Sequence, residues 1–126
     1  MESPHKGVTG VPRLKRACRY SWEGLCQAYS TEEAFRQEVL IALVLVPLAL
    51  WLGPSPVAKL MLIGSLFLVL IVELLNSAIE TTVDRVSYDD HPLAKRAKDV
   101  SSAAVMLSVI LAVVVWVVIL GTALIG

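Results

Sequence analysis

The sequence has no glycine-rich phosphate loop: neither a GxxxxGK(S/T) run nor the glycine-rich loop of soluble kinases occurs, so any nucleotide would have to be held in another way. It has only two cysteines, Cys18 and Cys26, with neither CxxC spacing nor a clustered histidine. That suggests neither a zinc site nor a disulfide framework, and the two read as small apolar side chains in a reduced compartment. There is no internal repeat and no low-complexity segment. No leader-like short apolar run precedes residue 39, so insertion into a bilayer is expected to use the long apolar segments themselves.

Cations are missing from most of the chain. Of 11 Lys and Arg, all but Lys59 lie before residue 37 or between residues 85 and 98, and with 11 Asp and Glu the formal net charge is zero. What remains is apolar. Hydrophobic residues make up 56% of 126 and charged residues 17%, with a mean hydropathy of +0.72, more apolar than a water-soluble domain of this size requires. The surface that water would have covered must face lipid.

Three segments are long enough to cross a bilayer, whose core needs about 20 apolar residues. The first, 31–52, is apolar throughout from Val39 to Leu52 and contains Pro47, which membrane helices tolerate. Ser30 and Glu33 read as a capping box at its start. Gly53-Pro54-Ser55-Pro56 makes a short turn into the second span, 57–83. A polar connector, 84–97, leads to the third, 98–125. Residues 11–29 carry Leu14, Cys18, Trp22, Leu25 and Tyr29 at spacings of three and four, with Arg13, Arg16, Glu23 and Gln27 on the other side, the pattern of an amphipathic helix lying in the membrane interface. Placement of Lys and Arg puts the N-terminus and the connector in the cytoplasm, with the C-terminus on the opposite, periplasmic side. The expected fold class is all-α integral membrane: an interfacial helix plus three spans, in one domain.

On the second span Glu73, Asn76, Glu80 and Asp84 follow one another at spacings of three, four and four, so one helical face carries three carboxylates and an amide. A carboxylate inside a membrane helix costs at least about 2.5 kcal/mol on insertion scales, and such a residue marks a functional site facing protein or a wet cavity. The bland alternative is a polar contact between helices. Glu32 at the start of span one and Lys98-Asp99 at the start of span three share its cytoplasmic side. Phosphoryl transfer needs oxygen ligands for magnesium, a cation near the phosphates and a base for the attacking hydroxyl, and all of these residue types are present. The same stripe could also line a proton or ion conduit, or only set helix packing in a membrane scaffold.

The run VELLNSAIETTVDR (72–85), with RAKDVSSAAV (96–105) and EEAFRQE (32–38), resembles the prokaryotic diacylglycerol kinases, small trimeric three-span enzymes unrelated to soluble kinases. The resemblance covers about residues 13–120. It implies a homotrimeric bundle in the bacterial inner membrane that phosphorylates diacylglycerol with ATP and Mg2+, without nucleic acid as a partner. It further implies Glu73 as catalytic base with Asn76 in the same site, and Glu32 and Glu80 as metal ligands. Nucleotide contacts are implied at Arg13, Tyr20, Glu32, Glu80, Lys98 and Asp99, and at Asp89, Asp90 and His91, in the stretch that helps cover the nucleotide. Lipid-side roles are implied for Arg16, Trp22, Phe35, Arg36, Gln37, Glu38, Trp51, Glu73 and Ser102. Undecaprenol kinases share the span-two motif, but AFRQE and YSWEGL are more similar to the diacylglycerol branch.

Overall fold

The computed structural model describes residues 9–86 and 91–126. Among the described residues there are four α-helices and no strand: α1 (Val11–Thr31), α2 (Glu33–Leu52), α3 (Pro56–Val86) and α4 (Pro92–Ile125). Pro12 sits in the first turn of α1, where its missing N–H costs nothing, and α1 buries none of its residues. The other three helices are each long and apolar enough to cross a bilayer.

Only Glu32 separates α1 from α2, and its backbone is extended (φ −107°, ψ 106°). The capping box expected from Ser30 and Glu33 does not form. The hydroxyls of Ser30 and Thr31 instead donate to the carbonyl of Gln27, at 3.0 and 2.7 Å. Because α1 runs on to Thr31, the carbonyls of its own last turns are the nearest acceptors. Pro47 lies inside α2 without ending it.

The turn from α2 to α3 is close. The Gly53 amide donates to the Ala49 carbonyl at 2.9 Å, and a Cβ at Gly53 would lie 2.7 Å from that same oxygen and collide with the Lys59 side chain. Ser55 Oγ accepts from the Ala58 amide at 3.1 Å and so starts α3.

At 31 and 34 residues, α3 and α4 extend well beyond the roughly 30 Å of a hydrocarbon core at about 1.5 Å per residue. Their helical structure therefore outlasts their apolar runs: α3 continues through Asp84 and Arg85, and α4 begins at Pro92, ahead of Lys95, Arg96 and Lys98. His91 caps α4, its Nδ1 accepting from the Leu93 amide at 3.1 Å. Lys98 Nζ meets Asp84 Oδ1 at 2.5 Å, which ties the two polar ends together.

α3 is the central helix, packed most extensively on α4 and also against α2. Its buried stripe is Leu62, Ser65, Val69 and Glu73, at spacings of three, four and four. Facing elements contribute Ser101, Ser108 and Ala112 from α4, and Phe35 and Ala49 from α2. Each buried serine donates to a carbonyl of its own helix: Ser65 to Leu62 at 2.8 Å, Ser101 to Lys98 at 3.0 Å and Ser108 to Val105 at 2.7 Å. One bond crosses between helices here, from Trp116 Nε1 to the Leu62 carbonyl at 3.1 Å. Trp116→Phe should therefore destabilise the α3–α4 pair by about 1 kcal/mol. The check is a thermal melt in detergent micelles, where a midpoint equal to wild type would show that the indole bond contributes nothing.

Candidate active site

The stripe that buries Leu62, Ser65 and Val69 continues along α3 into polar residues. Glu73 is 8% exposed, and Asn76 and Glu80 follow on the same face toward the polar end of the helix. Asn76 Nδ2 donates to Glu80 Oε1 at 3.3 Å, so the amide orients the carboxylate one turn further on. Glu73 Oε2 and Asn76 Oδ1 are buried and have no hydrogen-bond partner among the described residues. In water-free surroundings such oxygens are costly, and their placement leaves two acceptors turned into the protein.

Two further carboxylates stand near this face: Glu80 on the same helix, and Glu32 at the α1–α2 junction, which lines a cavity together with Ser77 and Thr81 of α3. A third, Glu38 on α2, lies beside Val69 and Leu70 of α3. Glu38 Oε2 is also buried without a partner among the described residues. It borders a small cavity of about 160 Å³ whose other walls, including Ile41, Val69 and Ala112, are apolar. Glu38 was legible in the sequence only through resemblance. The first span expected from the sequence, 31–52, already includes it, and the structure puts it in the second turn of α2.

Above this level lies a larger open cavity of about 680 Å³ between α1 and α3. Ser21, Gly24 and Ala28 line one side, Ser77 and Thr81 the other, and Glu32 stands at its edge. That volume falls within the usual range for small-molecule sites.

The other expected residues are distributed as follows. Arg13, Arg16 and Trp22 are exposed along α1, and Tyr20 has the Arg19 guanidinium 5.3 Å from its ring centroid. Phe35 is buried at 3% exposure, and Gln37 Nε2 donates to Glu33 Oε1 at 3.4 Å. The Arg36 side chain reaches back to the carbonyl of Tyr29. Lys98 is paired with Asp84, and Asp99 with Lys95 at 2.7 Å. Ser102 is exposed on α4 while its neighbour Ser101 is buried. Trp51, 79% exposed, sits at the far end of α2, 19 residues or about 28 Å along the axis from Glu32. His91 is occupied as a helix cap, and Asp89 and Asp90 lie outside the described residues. The structure thus gathers Glu32, Glu38, Glu73, Asn76 and Glu80, and leaves Trp51 apart from them.

No group of three or more His, Cys, Asp or Glu able to hold a metal is formed among the described residues. Glu32 and Glu80 nevertheless suit magnesium, which is commonly bound through one or two carboxylates while phosphate oxygens and water complete its shell. Such a donor set fits an ion that arrives with a nucleotide.

Two buried, unpartnered acid oxygens should make this site a cost to stability. Glu73→Leu and Glu38→Leu are each expected to raise the thermal midpoint in micelles. A lowered midpoint for both would mean that the carboxylates have structural partners of their own.

The family described as "Prokaryotic diacylglycerol kinase" matches residues 19–120. The diacylglycerol kinase of Pseudomonas aeruginosa is 49% identical over 118 residues, covering 94% of this chain and 96% of that protein. The diacylglycerol kinase of Escherichia coli K12 is 47% identical over 113 residues, 90% of this chain and 93% of its own. That of Helicobacter pylori 26695 is 43% identical over 115 residues, 91% and 89% respectively. With a match over most of its length and three helices able to cross a bilayer, the chain belongs to the prokaryotic diacylglycerol kinase family and is one of its membrane-bound lipid kinases.

Proposed function

We propose that this protein transfers the γ-phosphate of ATP to the free hydroxyl of diacylglycerol, yielding phosphatidic acid and ADP at the cytoplasmic face of the bacterial inner membrane. The observation that carries the reading is Glu73: a carboxylate within a membrane helix, 8% exposed, with an oxygen that no described residue satisfies. A lipid alcohol enters from the hydrocarbon side, and its hydroxyl takes the place of the missing partner.

In this scheme Glu73 accepts the hydroxyl proton as the lipid oxygen attacks the γ-phosphorus and the bond to the β-phosphate oxygen breaks. Asn76 holds Glu80 through the 3.3 Å bond and offers its own Oδ1 at the same level. Glu32 and Glu80 would hold Mg2+, which would supply positive charge to the phosphates. Lys98, drawn from its contact with Asp84, offsets phosphate charge at the water boundary. The cavity between α1 and α3 receives the polar partner, with Arg13 and Tyr20 on α1 contributing to nucleotide binding.

In this reading the N-terminus is cytoplasmic and the C-terminus periplasmic, which the cation-rich segments at residues 13–36 and 85–98 support. We infer a homotrimer as its working assembly. It is consistent with the large apolar faces that one chain leaves uncovered, Phe67 and Ile71 on α3 and Met106 and Leu107 on α4 among them.

Labelled ATP offered with diacylglycerol or undecaprenol in mixed micelles tests the proposal. Wild type should label diacylglycerol in preference, and Glu73→Gln should remove labelling by several orders of magnitude while its assembly size and melting behaviour persist. Near-normal turnover by that variant sinks the base assignment. In the same assay Glu32→Gln and Glu80→Gln should shift half-maximal activity to higher Mg2+, and an unshifted magnesium curve for both would remove the metal assignment.

A further inference from the structure

Glu32 is the one residue between two helices, so the direction of its carboxylate depends on how those helices are held together. Packing holds α1 weakly, since it buries none of its residues. Arg36 spans the break instead. Its backbone amide donates to the Glu32 carbonyl at 3.1 Å, and its Nε donates to the Tyr29 carbonyl at 3.2 Å. Its guanidinium also lies 5.9 Å from the centre of the Tyr29 ring.

Tyr29 contributes one of the last carbonyls of α1, which have no amide donor within that helix. An arginine can donate in the plane of its fork and lie against an aromatic ring at once, a combination that the compact ammonium of lysine does not reproduce. The contact joins residue 36 in the first turn of α2 to residue 29 in the last turn of α1, with Glu32 enclosed between them. The same junction borders the cavity whose walls are α1 and α3. Any swing of α1 about residue 32 therefore changes both the width of that cavity and the distance of the Glu32 carboxylate from Glu73 and Glu80.

We propose that Arg36 is a positioning residue for the kinase reaction: by clamping Tyr29 across the break it aims the Glu32 carboxylate at the Glu73–Glu80 face and thereby sets the magnesium requirement. This rests on the assignment of Glu32 as a metal ligand. It gives Arg36 a role through Glu32, distinct from contact with the lipid.

The test uses the full chain in micelles, with Arg36→Met and Arg36→Lys compared by amide hydrogen exchange and by kinetics. Arg36→Met should exchange faster at residues 28–36 while α3 keeps its protection, and its half-maximal Mg2+ concentration should rise several-fold with KM for diacylglycerol unchanged. Arg36→Lys should fall between the variant and wild type in both readouts. If exchange rises throughout α3 as well, Arg36→Met has unfolded generally and the lysine variant carries the comparison. Unchanged exchange at the junction overturns the clamp. Faster exchange with an unmoved magnesium curve and a raised lipid KM overturns the positioning role and assigns Arg36 to the lipid. Failure of the metal assignment shows separately, as a Glu32→Gln variant whose magnesium curve does not move although junction exchange still responds to Arg36.

Discussion

A carboxylate within a membrane helix has to be kept away from hydrocarbon, and most of the arrangement around α3 follows from that one requirement. Glu73 lies on the face that α3 buries, among Leu62, Ser65 and Val69, so helix packing shields it from lipid. Shielding is not solvation. Its Oε2 receives no hydrogen bond from the described residues, and the side chains that share its face toward the polar end are an amide and another carboxylate, Asn76 and Glu80. A cation brought by a substrate and a hydroxyl brought by a lipid would relieve both defects together.

Length separates the two environments that such a reaction needs. α3 and α4 outrun the hydrocarbon, so one continuous helix carries Glu73 within the buried stripe and Asp84 at the water boundary. Continuity of the helix makes the spacing rigid: seven residues between Glu73 and Glu80 are about two turns, or roughly 10 Å. The bond from Asn76 to Glu80 uses the same periodicity to hold one carboxylate with its neighbour one turn away. The amphipathic α1 lines one side of the cavity, and its attachment at a single extended residue lets it do so without entering the core.

The polar stripe of α3 and the three apolar segments could be read from residue spacing alone, because periodicity in a helix fixes the face on which side chains emerge. Helix ends were less legible. Apolar runs stop at the lipid boundary, whereas backbone hydrogen bonding does not, so α3 and α4 are longer than their hydrophobic segments suggest. Ser30 illustrates a second difficulty. Its hydroxyl had two sets of partners within reach, and only the length of α1 decided in favour of Gln27. Glu38 was inside the expected first span but shares no spacing pattern with the α3 stripe, so only the packing of α2 on α3 sets it apart. Side chains that bridge elements, Lys98 to Asp84 and Arg36 to Tyr29, depend on the angle between helices and leave no trace in linear spacing.

The serines between α3 and α4 have a consequence for how these helices adhere. Ser65, Ser101 and Ser108 each spend their proton on their own backbone, so no hydroxyl reaches across the gap. Their value to the pair is thinness: a short side chain with its polarity already quenched lets two backbones approach in oil without stranding a donor. Register along that seam is then left to shape, to the indole bond of Trp116 and, at its polar end, to the Lys98–Asp84 pair, and a displacement of one helix past the other would break both.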